Sequence, residues 1–325
     1  MSPDDPAPRG AVTDRRDLRL FLLGTFGLTW GLGVLGVFFL DALRPVFTPL
    51  FFLAVYAPTI VAFVLTARRS SWAGVRALLG SGVRWRVGWR WYLVPFGVVP
   101  AVGITAHLIE DAVTGAPVGV SPVAPLVVLA ALPLALLVDP GGIGEEFGWR
   151  GYALPRMLRL WSWRTSALVL GAVWAVWHLP AFLVADAQQS SLALPPMILQ
   201  WLATSVIFAF TWLHTRSVLV AGILPHTLLN LQHLLPEIAA DEHFTAPLYG
   251  LVAAVLLVLG RTPRAGGRPL GQQAPARSGR WTGSTARVPA AYSDRYRQPP
   301  AVRTSTVSAS TNRTADGAGA PSGPW

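Results

Sequence analysis

The chain has 325 residues, of which 52% are hydrophobic and 13% charged, whereas a soluble domain carries about 25% charged residues. It has no cysteine, which excludes disulfides, thiolate nucleophiles and cysteine-ligated metals; its 26 basic residues are all arginine. Its formal charge of +10 lies in loops and tails between apolar runs, a distribution that suits membrane orientation better than a nucleic-acid-binding face.

The first residues, 1–18, are polar and rich in Pro and Asp and read as a cytoplasmic tail. No small-residue cleavage site follows the first apolar run, Leu20–Leu40, so it is expected to be a retained span rather than a removed signal peptide. Seven further runs approach the ~17 to 25 residues that cross a bilayer. They are Val46–Ala67, Tyr92–Leu108, Pro122–Val138 with its continuation into a glutamate-bearing segment, Ser166–Ala185, Met197–Leu213, Val218–Leu235 and Ala246–Gly260. Pro95 and Pro100 weaken the third, and Pro225, His226 and Asn230 the seventh; such breaks are tolerated where neighbouring helices satisfy the freed backbone groups. The expected fold is an all-α polytopic membrane helix bundle over residues 19–260, with about eight transmembrane helices.

The loops give the orientation. Arginines cluster before the first span, between the second and third (Arg68, Arg69, Arg76, Arg84, Arg86, Arg90), after the fourth (Arg156, Arg159, Arg164), at Arg216 and at Arg261. The other loops carry Asp41, Glu110, Asp111, Asp186, Glu237, Asp241 and Glu242, with Arg44 their one base. This alternation places both termini in the cytoplasm of a multi-pass cell-membrane protein. Residues 261–325, rich in Arg, Pro, Gly and Ser, are expected to form a disordered tail.

Charges at membrane depth are costly, and three of them, Glu145, Glu146 and Arg150, follow the fourth run in GGIGEEFGWRGY. Glu146 and Arg150 stand at i,i+4 with the acid first, the favourable order for a helical pair. Glu145 is turned about 100° away, which leaves it unpaired and suited to act as a general base. The fifth span carries His178 with Trp174 one turn earlier, and the seventh places His226 and Asn230 on one face. If the chain turns near Trp161 to Arg164, antiparallel helices bring Glu145 and His178 to one depth, with His226 about 6 Å away in depth. Pro155 is the point where this arm can kink. His107, His214, His233 and His243 lie nearer span ends and read as ordinary residues.

A glutamate beside a histidine can deprotonate water for attack on an amide carbonyl, while a second histidine and an asparagine can donate hydrogen bonds to the oxyanion. The same side chains, Glu145, His178 and His226 above all, are also plausible ligands for zinc, although HExxH is absent. Taken in order, Glu145-Glu146-x-x-x-Arg150, Trp174-x-x-x-His178 and His226-x-x-x-Asn230 resemble the three motifs of the CAAX prenyl endopeptidase and bacteriocin-processing (Abi, or CPBP) intramembrane proteases. The strings EEFGWRGYALPR and WHLPAFL strengthen the likeness, which covers about residues 120–235. Trp174 stands where the family usually has Phe and keeps an aromatic ring there. The resemblance implies a catalytic set of Glu145, His178, His226 and Asn230, with Glu146, Arg150 and Trp174 in support, and it leaves a Zn2+ cofactor open. It also implies a membrane-embedded or lipid-associated peptide substrate met within the lipid bilayer. A proton-coupled transporter using Glu145, His178 and His226 as a relay is one alternative, against which no repeat is visible. A non-catalytic interaction or immunity protein on the same fold is another.

Overall fold

The computed structural model describes residues 9–115, 124–184, 187–234, 240–262, 264–265 and 268–269. The tail from residue 270 onward and the side chain of His233 lie outside the described residues, as do the loop acids Asp186 and Glu237. The chain divides into two units, Met1–Ala276 and Arg277–Trp325, and every element below belongs to the first.

Eleven α-helices are described: α1 (Arg9–Leu43), α2 (Phe47–Val55), α3 (Ala57–Gly82), α4 (Val99–Thr114), α5 (Ala124–Val138) and α6 (Pro140–Glu146), then α7 (Leu154–Leu160), α8 (Trp163–His178), α9 (Leu194–Thr215), α10 (Leu224–Leu234) and α11 (Glu242–Leu259). The described strands are a two-residue antiparallel pair, Arg264–Ala265 with Arg268–Pro269. The molecule is an all-α polytopic bundle. Its long apolar side chains, Leu23, Phe38, Leu137 and Val258 among them, face outward, as a lipid-covered surface requires.

Among the described residues, five segments are long and apolar enough to cross a membrane: Ala11–Phe39, Trp89–Thr114, Trp163–Phe182, Leu194–Thr215 and Glu242–Leu259. A sixth is a bent pair, Asp41–Val55 with Ala57–Gly82, which turns by 54°. The remaining two of the eight expected runs, the fourth and the seventh, are each assembled from shorter pieces. The fourth divides at Asp139 into α5, α6, a π-helical turn (Phe147–Ala153) and α7; the seventh begins with a π turn (Leu219–Ile223) before α10.

These breaks have a common cause. The described π turns, Val94–Val98, Phe147–Ala153 and Leu219–Ile223, are each followed by a helix whose second residue is proline: Pro100, Pro155 and Pro225. Proline has no N–H to return to the preceding turn, and its ring crowds the carbonyl four residues back. Widening that turn to i→i+5 relieves both problems without ending the helix. Pro155 therefore produces a π turn in place of the expected kink, and the turn falls beside the charged motif.

The N-terminal boundary also differs from the sequence reading. Helix α1 starts at Arg9, and residues expected in a polar tail are packed against the bundle. Asp14 pairs with Arg159 at 2.6 Å, and Asp17 accepts from Arg69 at 2.9 Å and Arg156 at 3.4 Å. These bonds tie the start of α1 to α3 and α7, and below them Phe21 packs edge-on against Trp149. In α3 the backbone of Ser71 takes φ 55°, a left-handed conformation that an L side chain resists, where the helix changes direction. Helix α9 lies at the centre of the bundle, packed against α8 and α11.

Candidate active site

Asp139 starts the segment that carries the site. As the N-cap of α6 it accepts from the backbone N–H groups of Gly141 (3.2 Å) and Gly142 (3.0 Å), and Pro140 at the first helical position needs no partner for a missing N–H. The cap fixes the direction of α6, which ends in Glu145 and Glu146. Both carboxylates are buried, at 3% and 0% exposure, and Arg150 at 0% lies one turn beyond.

The two glutamates are built into different surroundings. Glu146 faces into the protein, where its Oε1 accepts from Arg150 Nη1 and from His226 Nδ1, each at 2.8 Å. The expected pair with Arg150 is present, and Glu146 has a second duty in orienting His226. The Arg150 guanidinium lies over the rings of Trp174 (4.5 Å) and Phe208 (4.8 Å), where the ring faces attract its charge. Glu145 lines a cavity of about 410 Å³ that Glu146 and Arg150 do not reach. Here the sequence reading needs correction: Glu145 is not unpaired, because the indole Nε1–H of Trp174 donates to its Oε2 at 2.6 Å. A phenyl ring at position 174 could not make that bond.

Asp139, His178, His226 and Asn230 line the same cavity, together with apolar residues of α1 (Leu32, Gly33, Gly36) and α2 (Phe47, Leu50, Phe51). The cavity is largely apolar, with Thr29, Gln189, Gln200 and Thr204 adding further polar side chains to its lining. Glu145 meets Trp174, one turn before His178, because a π turn packs more residues into its length and shortens the arm that ends in Glu145. His226 Nε2 approaches Glu145 Oε1 to 4.0 Å and its ring lies 5.3 Å from that of Trp174, so His226 comes level with Glu145 and Trp174, one turn before His178.

Hydrogen bonds assign the histidine tautomers. His178 Nδ1 lies 2.9 Å from the carbonyl oxygen of Trp174, which can only accept, so the proton sits on Nδ1 and Nε2 carries a lone pair. Its ring stacks on Trp201 at 4.3 Å between centroids. His226 Nδ1 likewise donates to Glu146, so Nε2 can donate only when the ring is an imidazolium. Glu146 and Glu145 are the counter-charges within reach of such a cation.

Two close approaches shape the space between these groups. A methyl carbon on Gly141 would lie 2.6 Å from Asn230 Nδ2 and 2.8 Å from His226 Nε2, so both nitrogens pack close against the same stretch of backbone, an approach that only glycine permits. A methyl on Gly222 would lie 2.4 Å from Glu146 Oε2, which explains how α10 and its π turn come so near α6.

A tetrahedral zinc site needs three protein ligands around one point. Among the described residues, the one group of three such side chains with ligand atoms within 4.8 Å of one another is Asp241, Glu242 and His243, at the start of α11. Glu145, His178 and His226 do not gather in this way. As arranged here, the residues do not fit a resident zinc ion.

The other histidines whose side chains are described have local partners. His214 stacks on Trp91, His243 contacts the Asp241 carboxylate, and His107 lies 3.7 Å from Asp111. Sequence reasoning missed Asp139, Thr227, Trp201 and Gly141. An Asp-Pro pair at the end of an apolar run is a helix-start signal, and it could have identified Asp139.

Residues 123–232, which contain all three motifs, match the family model described as Type II CAAX prenyl endopeptidase Rce1-like. The resemblance to the CAAX prenyl endopeptidase family holds. The chain is also similar to CAAX prenyl protease 2 of Methanococcus maripaludis, at 27% identity over 134 residues. That match takes in 39% of this chain and 49% of the relative, so the chain spans about half the length of the curated protein it matches. The first four helices lie outside the segment matched to the CAAX endopeptidase family, yet α1 and α2 supply much of the apolar wall of the cavity.

Proposed function

We propose that this chain is an intramembrane endopeptidase of the cell membrane. In this reading it hydrolyses a peptide bond of a lipid-anchored peptide, with a prenylated C-a-a-X terminus as the substrate class. The observation that carries the reading is the single cavity on which Glu145, His178, His226 and Asn230 converge, polar at the glutamate and apolar along α1 and α2. Its apolar part suits a lipid chain and its polar part an amide bond.

The chemistry follows from the donors and acceptors. Water enters hydrogen-bonded to the Glu145 carboxylate and to the bare Nε2 of His178. Glu145 takes its proton as the oxygen attacks the carbonyl carbon, and the Trp174 indole holds the carboxylate in place. The carbonyl oxygen becomes an anion on the cavity side of Gly141, where His226 Nε2–H and Asn230 Nδ2–H donate to it. Collapse breaks the C–N bond, the proton held by Glu145 passes to the leaving amine, and the new carboxylic acid then loses its remaining proton to solvent. The products are a shortened peptide with a new carboxylate and a released peptide with a free amine. Glu146, paired to Arg150, keeps His226 oriented throughout. The partners of this reaction are the bilayer and the lipid-anchored peptide, with no nucleic acid.

The test is cleavage of a farnesylated, internally quenched C-a-a-X peptide by purified protein, alongside the membrane peptides of cells carrying wild type or Glu145→Ala. The expected result is cleavage at one bond in vitro, and a set of cellular peptides lost in the variant. No cleavage and identical peptide sets would overturn the proposal.

A further inference from the structure

The Asp139 carboxylate takes two bonds on each oxygen, one from each of two helices. Oδ1 accepts from Gly141 N and from Asn230 Nδ2 (2.9 Å); Oδ2 accepts from Gly142 N and from Thr227 Oγ1 (2.9 Å). The backbone donors belong to α6, which carries Glu145 and Glu146, and the side-chain donors belong to α10, which carries His226. One carboxylate thus links the two halves of the site. A carboxylate can only accept, so the amide of Asn230 must turn its nitrogen toward Asp139. One of the two Nδ2 hydrogens is used there, and the other remains for the cavity that Gly141, His226 and Asn230 all line. Without Asp139 the amide could turn over and present its oxygen to a developing anion, which repels it.

We propose that Asp139 is a positioning residue for the oxyanion site: it sets the orientation of the Asn230 amide and holds α6 and α10 in register. This inference rests on the protease reading and goes beyond it. Neither the motif likeness nor the i,i+4 spacing of His226 and Asn230 gives Asp139 a role.

The measurement is steady-state kinetics on the farnesylated C-a-a-X peptide with Asp139→Ser, Asp139→Asn, Asn230→Ala and the two corresponding double variants. Thermal unfolding is recorded on every sample. Serine is a good N-cap, so Asp139→Ser keeps the start of α6 while being too short to reach Asn230. Removing an oxyanion donor costs about 10² to 10³ in kcat, so Asn230→Ala should fall in that range. Asp139→Ser should lose about tenfold or more in kcat, with KM within about threefold of wild type, since the interaction matters only in the transition state. The decisive readout is coupling: in the Asn230→Ala background, Asp139→Ser should cost less than about threefold more. A purely structural role predicts losses that multiply in the double variant, and that result overturns the inference; so does wild-type kcat in Asp139→Ser. If Asp139→Ser does not fold, the same comparison with Asp139→Asn decides. Unchanged kcat in Asn230→Ala would overturn the oxyanion assignment itself, whereas a slow Asn230→Ala beside unaffected Asp139 variants removes only the positioning role.

Discussion

Replacing Arg150 with methionine isolates the buried ion pair at the centre of the site. Arg150 and Glu146 are both fully enclosed, and removing one member of such a pair strands the other's charge, at a cost of about 3 to 5 kcal/mol. Two features place Arg150→Met at the low end of that range. Glu146 Oε1 keeps its 2.8 Å bond from His226, and methionine refills much of the volume beneath Trp174 and Phe208. The expected loss is therefore about 3 kcal/mol, or about 6 to 12 °C in Tm for a domain of this size. Thermal unfolding in detergent, followed by tryptophan fluorescence, measures it. The double variant Glu146→Gln/Arg150→Met carries no stranded charge and keeps an acceptor for His226. It should recover most of the loss, to within about 1 kcal/mol of wild type. A single variant that melts with wild type, or a double variant no more stable than the single, would refute the idea that this pair holds the site together.

Trp174→Phe keeps the aromatic ring but removes the 2.6 Å donor to Glu145; it should lower kcat by about 10- to 100-fold, the worth of one hydrogen bond to a charged group, with little change in KM. Full activity in that variant would mean that the indole N–H is dispensable. Reporter fusions at Arg261 and near Glu242 should report opposite sides of the membrane with Arg261 cytoplasmic; the same side for both would contradict the arginine alternation. Truncation after Thr262 should leave both Tm and cleavage unchanged, since the polar composition beyond it cannot form a packed core, and loss of either would give that tail a structural role.

The helical, membrane-spanning character was legible because apolar run length and composition are local signals. The interruptions of the fourth and seventh runs were visible only as prolines. Their outcome, a π turn before Pro155 and another before Pro225, keeps each run helical, and the close approach of the two runs at Gly141, Gly142 and Gly222 is a tertiary contact that no local signal encodes. The pairing of Glu146 with Arg150 was readable because both lie on one helical segment. The bond from Trp174 to Glu145 spans 29 residues, and that from Asn230 to Asp139 spans 91. No periodicity encodes contacts of that range. The start of α1 was misplaced for a related reason: Asp14 and Asp17 look solvated in sequence, and only their arginine partners on α3 and α7 explain their burial.

The central claim is that Glu145, and not Glu146, activates the attacking water. Purified Glu145→Gln keeps the shape and the bond from Trp174 but cannot accept a proton. The measurement is its turnover of the farnesylated C-a-a-X peptide under conditions where its melting curve overlays that of wild type. General-base catalysis contributes about 10² to 10⁴, so kcat should fall by at least about 10²-fold with peptide binding retained. A folded Glu145→Gln variant that cleaves at near wild-type rate would contradict the assignment.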